Sequence, residues 1–169
     1  MKKPWNLVNV PVYSISTVDK DIVNMNICTY VSAVSMTPKR YMVAIYHNTK
    51  SHFVASQNQI FVLQLLAENQ YGLVKNFGQK SGLKFDKHGF IQRKNALKLS
   101  ASQNPYSTYL WNGHHVLSNA VAVLLLKPIQ IIPAGDHDMF LCDVLAYKNQ
   151  NDHQVLTLDT LRTKKLIRI

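Results

Sequence analysis

The stretch from Asn24 to Ser56, NMNICTYVSAVSMTPKRYMVAIYHNTKSHFVAS, decides the fold. It predicts two β-strands joined by a turn at Thr37-Pro38-Lys39-Arg40, with the second strand passing directly into a helix. The first strand carries small and polar side chains where a core strand would be apolar. The second ends in His47-Asn48-Thr49-Lys50-Ser51, a group of hydrogen-bond donors at a helix start, where anions bind. The stretch therefore predicts a site for a flat, phosphorylated ligand.

Length and composition predict one domain over residues 1–169, since 47% hydrophobic and 17% charged residues are typical of a folded domain. The longest apolar run, 120–126, is too short to cross a bilayer, and the N-terminus has no apolar signal segment. The two cysteines, Cys28 and Cys142, lie outside any CxxC spacing and favour free thiols over a disulfide. We therefore expect a cytoplasmic protein that does not bind membranes.

The net charge of +10 indicates anionic partners, from nucleic acid to a dinucleotide phosphate, or a basic surface that is merely solvated. The charge is concentrated in two groups of basic residues. The smaller group lies near the C-terminus, between Arg162 and Arg168. The larger group consists of Lys75, Lys80, Lys84, Lys87, Arg93, Lys94 and Lys98.

The rest of the chain is dominated by strand patterns. Two helices are predicted as well, one from Thr49 to about Gln57 and a longer one over 67–80. Many short strands with two inserted helices favour a β-barrel or sandwich, and the absence of GxGxxG and GxxxxGK argues against a Rossmann sheet. The predicted strands are 10–16, 27–35, 41–47, 60–66, 97–100, 115–128, 140–148 and 155–158.

The polar strand offers Asn26, Tyr30 and Ser32 as ligand-binding side chains. Its backbone and hydroxyls suit a planar ring with several carbonyls and ring nitrogens. The alternative is an antiparallel strand with one wet face, which is common.

Gly135-Asp136-His137-Asp138 precedes an apolar strand and indicates a metal site, an acid/base pair or a loop that presents His137 to a ligand. No further ligands at suitable spacing accompany it, so we expect no metal. The aromatic residues Tyr106, Tyr109 and Trp111 are typical either of base stacking or of a core or dimer interface, and the second interpretation is favoured.

Three blocks, in order along the chain, resemble the flavin reductase-like proteins with an FMN-binding split-barrel fold. NICTYVSAVSMTP (26–38) is similar to that family's polar strand before a proline turn, and 41–51 with 60–66 to its strand–phosphate loop–helix–strand unit. Gly135-Asp-His137 leading to Asp143-Val144 is similar to its GDH…GEV motif, although Cys142 replaces the glycine and Asp143 the glutamate. Lys39 also stands where a second proline is common.

The resemblance implies a mainly β, Greek-key split β-barrel that forms a homodimer, with FMN near the subunit interface. Tyr30, Val31 and Ser32 would lie along the isoalloxazine ring and ribityl chain. The phosphate would be held by His47, Asn48, Thr49, Lys50 and Ser51, and His137 would lie near the nicotinamide or flavin edge as the catalytic residue.

The activity expected from this resemblance is NAD(P)H-dependent flavin reduction, with NADH or NADPH as hydride donor and an oxygenase as a possible recipient of reduced flavin. The absence of an acid/base constellation agrees with it, since the cofactor carries the chemistry. Two alternatives stay open. One is a non-catalytic FMN-binding or electron-carrier protein of the same fold, and the other, less favoured, is a basic nucleic-acid-binding β-barrel.

Overall fold

A computed structural model of the chain describes residues 3–57, 59–100 and 102–167. Short strands dominate it, as the sequence predicts. The strands are β1 Tyr13–Asp19, β2 Ile22–Cys28, β3 Val31–Ser35, β4 Arg40–Tyr46, β5 Phe61–Leu65, β6 Thr108–Trp111, β7 His114–Leu117, β8 Ala122–Ala134 and β9 His137–Asn149. The helices are α1 Lys50–Ala55, α2 Lys87–Ala96 and α3 Leu158–Thr163, with 3₁₀ segments at Pro4–Asn6 and Glu68–Leu73 and a π-helical segment at Val74–Gly78.

Seven of the strands form one antiparallel sheet in the order β2-β1-β5-β8-β9-β4-β3. Its two edge strands, β2 and β3, follow each other in the chain with only residues 29–30 between them. A sheet whose opposite edges are joined by so short a link must curl round on itself. In the described residues no ladder of backbone hydrogen bonds joins β2 to β3, and β2 meets β4 through a side-chain contact from Cys28 Sγ to the Ala44 carbonyl oxygen (3.9 Å), so the barrel is split rather than closed.

Each face of the curled sheet buries its own apolar cluster. The inner cluster lies inside the barrel and includes Ile15, Phe61, Leu126 and Phe140. The outer cluster lies under α2, α3, the β6–β7 hairpin and the 68–78 segment, and includes Phe77. Because both faces are covered, β5 is apolar on both sides, with Phe61, Val62 and Leu63 fully buried.

The predicted strand 27–35 is in fact two strands, and the preceding hairpin was missed. β1 and β2 are joined by Lys20 and Asp21, both with positive φ (47° and 67°) as in a type I′ turn, but without the glycine that normally marks one. The second missed hairpin, β6–β7, turns at Asn112-Gly113, again with positive φ at both residues. That Asn-Gly pair is a standard hairpin signal, so this turn was predictable.

Other predicted elements also need correction. Residues 67–80 form a 3₁₀ and a π-helical segment instead of one α-helix, and 97–100 is not a strand but follows the C-terminus of α2. Residues 115–128 span the end of β7, a turn and the start of β8, and 155–158 makes only isolated bridges before α3 begins. In the described part of the chain no helix has the length and apolar character needed to cross a membrane.

Candidate functional site

A polar cavity of about 510 Å³ opens where the sheet is split. This volume is within the roughly 300–1,000 Å³ typical of small-molecule sites. The walls come from the end of β2, the end of β4, the start of α1, the 77–82 segment, Lys87 of α2 and His137 of β9. The residues that line it include Asn24, Asn26, Tyr30, Tyr46, Asn48, Thr49, Lys50, Ser51, Lys80, Gly82, Lys87 and His137.

The floor of the cavity is formed by Asn24, Ser51 and Lys87, which are all buried. Asn24 donates through Nδ2 to the Ser51 hydroxyl oxygen (2.8 Å), while its own amide oxygen, Oδ1, has no hydrogen-bond partner. Gly82 packs directly on that amide, because a Cβ at this position would overlap Oδ1. The Asn24 amide oxygen is therefore covered by the protein rather than open to the cavity.

Lys87 brings a buried cation to the floor from α2. Its Nζ donates to the carbonyl oxygens of Met25 (2.7 Å) and Phe77 (2.8 Å). Burial lowers the pKa of this ammonium group to about 8. The residue therefore fastens α2 to β2 and to the 77–82 wall.

The start of α1 forms one end of the cavity. Thr49 is the N-cap: its hydroxyl oxygen accepts from the His52 amide (3.1 Å), and the hydroxyl donates to the Tyr46 carbonyl oxygen (2.9 Å). Asn48 adopts positive φ (59°), which this residue type tolerates better than most, and so turns the chain from β4 into the helix. Lys50 and, farther along the wall, Lys80 make this end positively charged.

The mouth of the cavity is formed by Tyr30, Tyr46 and His137. The His137 ring lies 5.2 Å from Tyr30 and 5.3 Å from Tyr46, measured between ring centroids. A two-residue turn, Gly135-Asp136, with positive φ (74°) at the glycine alone, presents His137 at the start of β9. Nδ1 of His137 lies 2.6 Å from Oδ1 of Asp136, and this hydrogen bond lowers the pKa of the Asp136 carboxyl.

Most of the residues predicted as ligands line this cavity, namely Asn26, Tyr30, Asn48, Thr49, Lys50, Ser51 and His137. Val31 and Ser32 instead line an adjoining, shallower cavity that also contains Tyr30 and His137. The His47 side chain points to Asp138, with Nε2 3.0 Å from Oδ1. Asn24 and Lys87 were missed: the first lies on an unrecognised strand, and a single lysine in a basic stretch carries no signal of burial.

Some of the basic residues considered for nucleic acid contact aromatic rings of the protein itself. Lys80 lies over the Phe85 ring at 4.5 Å from its centroid, and Lys94 lies over Tyr106 at 5.7 Å. Tyr106, Tyr109 and Trp111 all pack against the outer core cluster. They are therefore core residues rather than a platform for stacked bases.

The curled sheet with a cavity at its seam defines the chain as a split-barrel protein. The family described as flavin reductase like domain matches residues 5–164. The chain belongs to this family.

Individual relatives agree with that assignment. The FMN reductase (NADH) RutF of Pantoea ananatis is 28% identical over 138 residues, which cover 82% of this chain and 65% of that protein, just under two thirds of its length. An FMN-binding protein of Thermus thermophilus superposes with a TM-score of 0.72 at 19% identity, covering 89% of this chain and 76% of that one. The styrene monooxygenase flavin reductase of Pseudomonas putida S12 gives 0.71 at 18% identity, covering 89% and 86%. Both likenesses concern the fold.

Proposed function

We propose that this protein is an NADH:FMN oxidoreductase, which passes a hydride from a nicotinamide to a flavin. The observation that carries the proposal is the cavity at the seam of a flavin reductase-like fold, with polar side chains along its wall and the cations Lys50 and Lys80 at one end. When bound, the flavin supplies the redox chemistry. The protein then has to bind and orient two ring systems and keep water away from them.

The wall beside the floor fits a flavin ring. Asn24 supports this wall from beneath, because its Oδ1 is buried under Gly82 and its Nδ2 holds the Ser51 hydroxyl. Asn26 and Tyr30 extend the wall along the ring, and Val31 and Ser32 continue it into the adjoining cavity. This is the arrangement that the resemblance implied for Tyr30, Val31 and Ser32.

The start of α1 fits the flavin phosphate. The Lys50 ammonium group and the first backbone N–H groups of α1 supply positive charge and donors, and the Asn48 and Ser51 side chains line the same wall. Thr49 contributes by capping the helix. His47 acts indirectly in this proposal, because its side chain contacts Asp138 rather than lining the cavity.

His137 is the proposed catalytic residue at the mouth, where it would orient the nicotinamide against the flavin. Its hydrogen bond with Asp136 and its ring contacts with Tyr30 and Tyr46 fix the imidazole where it lines the cavity. Its role is positional: hydride transfer needs the reacting atoms about 3–3.5 Å apart and aligned, and needs no proton from the protein.

The test begins with FMN added to flavin-free protein. We expect quenching of flavin fluorescence and a higher melting temperature, and the absence of both would contradict any flavin function, leaving the nucleic-acid hypothesis. The flavin-loaded protein is then mixed anaerobically with NADH or NADPH. Rapid bleaching of the flavin absorbance, faster with NADH, is expected, whereas no bleaching would identify an FMN-binding electron carrier.

A homodimer is part of the proposal. Apolar side chains of β8 and β9, among them Leu145 and Tyr147, are exposed, and Tyr147 lines a groove together with Tyr13, Leu124 and Val144. Burying this surface against a second copy removes it from water. Sedimentation equilibrium should give a dimer for the natural chain and a monomer for Leu124→Glu, and a monomeric natural chain would refute the dimer alone.

Delivery of reduced flavin to an oxygenase is a further part of the proposal, supported by the similarity in fold to the styrene monooxygenase flavin reductase. The oxygenase proposal is tested by whether reduced flavin leaves the protein. Release faster than reoxidation on the protein supports delivery, and retention through turnover contradicts it.

A cytoplasmic location is proposed as well, since Cys28 and Cys142 are buried free thiols whose pKa burial raises to about 12.

A further inference from the structure

Two histidines and an aspartate converge beside α1, on the side of β9 opposite to His137. His47 follows β4, His52 lies in the first turn of α1, and Asp138 is the second residue of β9. The Nε2 atom of His47 is 3.0 Å from Oδ1 of Asp138, and Nε2 of His52 is 2.7 Å from Oδ2. Neighbouring residues of a strand point to opposite faces, so Asp138 turns away from the cavity mouth that His137 forms.

The spacing of these atoms is that of metal ligands. One ligand atom from each of the three residues lies within 4.8 Å of the other two. A zinc ion binds imidazole nitrogen at about 2.0–2.1 Å and carboxylate oxygen at about 2.0–2.2 Å, so its ligand atoms must converge in this way. Each Nε2 donates its proton in a hydrogen bond to the Asp138 carboxylate, and metal binding at Nε2 would replace this bond and leave the proton on Nδ1, the tautomer in which a neutral imidazole is a metal ligand.

The three side chains are held in place by the backbone. Asp138 pairs with Ile45 in the β4–β9 ladder, the His47 amide donates to the Asp136 carbonyl oxygen (3.0 Å), and the His52 amide donates to the Thr49 cap. The side chains are 37% (His47), 20% (His52) and 18% (Asp138) exposed. An ion can therefore reach ligands that are ordered in advance and partly shielded from water, as a metal site requires.

We propose that His47, His52 and Asp138 form a binding site for a divalent transition-metal ion, with Zn²⁺ as the expected occupant. Two imidazoles and one carboxylate suit Zn²⁺ and leave a fourth, solvent-facing position. The ion would join the start of α1, at the proposed phosphate end of the cavity, to the hairpin that carries His137. The site is separate from the flavin cavity and does not depend on flavin binding.

The experiment uses the flavin-free full chain, so that its outcome is independent of the proposed reductase activity. Zn²⁺ binding is measured by competition with a chromophoric chelator, and Co²⁺ binding by its visible absorption bands. We expect one Zn²⁺ per chain and a higher melting temperature with Zn²⁺. His52→Gln and Asp138→Asn should weaken Zn²⁺ binding by at least about 100-fold, since loss of even an outer partner of a metal site costs roughly 10–100-fold.

His153→Gln is the matched control, because His153 is exposed and lies in a loop outside the cluster. Its Zn²⁺ affinity should equal that of the natural chain. Equal affinities for the natural chain and His52→Gln, or no saturable Zn²⁺ binding, would overturn the proposal and leave a carboxylate that only hydrogen-bonds two histidines. Circular dichroism in chelator checks that each variant folds, and Asp138→Asn preserves the shape of the side chain if His52→Gln does not fold.

Discussion

The floor and the mouth of the cavity hold polar groups in opposite ways. Asn24, Ser51 and Lys87 on the floor are no more than 4% exposed. Asn24 donates a hydrogen bond to Ser51, and Lys87 donates one to the Met25 carbonyl oxygen of β2. Tyr30 and Tyr46 at the mouth are 61% and 47% exposed and meet His137 through ring contacts alone.

This difference separates binding from turnover. Buried polar groups that are ordered in advance lose little entropy when a ligand arrives, so the floor and the adjoining start of α1 should set flavin affinity. Exposed rings have room to adapt, so the mouth should admit and orient the second substrate. Substitutions on the floor are therefore expected to change affinity and stability, and substitution of His137 at the mouth to change rate.

The largest effect is expected at the start of α1. Thr49→Ala/Lys50→Ala removes the helix cap and a cation, and a hydrogen bond to a charged group contributes about 1.5–3 kcal/mol. FMN affinity, measured by fluorescence quenching, should fall by about 100-fold, or about 2.7 kcal/mol. The matched control is Thr157→Ala/Lys164→Ala, which removes the cap of α3 and an exposed lysine. Undiminished FMN affinity in the first double variant would refute the phosphate assignment.

The next effect tests the close approach on the floor. Gly82→Ala places a methyl group on the Asn24 amide, whereas Gly72→Ala places one where no other atom lies within 4 Å. Overpacking costs about 1–3 kcal/mol, so urea unfolding should show Gly82→Ala destabilised by about 2 kcal/mol, with weaker FMN binding. Gly72→Ala should stay within about 0.5 kcal/mol of the natural chain. Equal stabilities of the two variants would show that the Asn24 amide can move aside for a methyl group, and would contradict the close packing of Gly82 on the floor.

The sequence revealed the mouth and the start of α1 better than the floor, for physical reasons. Asn48, Thr49 and His137 sit in local patterns of turn and cap residues that can be recognised without a structure. Asn24 lies in the first half of β2, which the sequence does not reveal because the Lys20-Asp21 turn before it lacks its usual glycine. The family resemblance nevertheless predicted the split barrel, since it rested on the order of several blocks rather than on single boundaries.

Two other features depend on contacts between segments far apart in sequence. Lys87 looks like one of many surface lysines, and only the packing of α2 on β2 shows that it is buried. Asp138 meets His47 and His52 because β9 pairs with β4, and no local spacing predicts that register. The expectation of no metal rested on spacing in the sequence, whereas the proposed metal site joins residues that only the folded chain brings together.

A pH-dependent effect is expected from Lys87. Burial lowers its pKa to about 8 in the folded protein, from the ordinary lysine value of 10.5 that it regains on unfolding. Between these values the unfolded chain binds more protons, so stability rises with pH, by at most about 1.4 kcal/mol per pH unit. Urea unfolding at pH 7, 8, 9 and 10 should show this gain for the natural chain relative to Lys87→Met, which keeps the apolar stem but cannot titrate. Parallel pH profiles for the two proteins would place the Lys87 ammonium group in contact with water.

The smallest effect in free energy, and the one that separates mouth from floor, is expected for His137→Gln. The change removes a ring that contacts Tyr30 and Tyr46 but leaves the buried floor untouched. Anaerobic flavin reduction by NADH should slow by about tenfold, or about 1.4 kcal/mol, because misplacement of reactants by about 1 Å costs up to roughly 100-fold. FMN affinity should change by less than about twofold, and His153→Gln should match the natural chain in both measurements. If His137→Gln weakened FMN binding as strongly as the α1 double variant, the mouth would belong to the binding site, and the division between affinity and rate would fail.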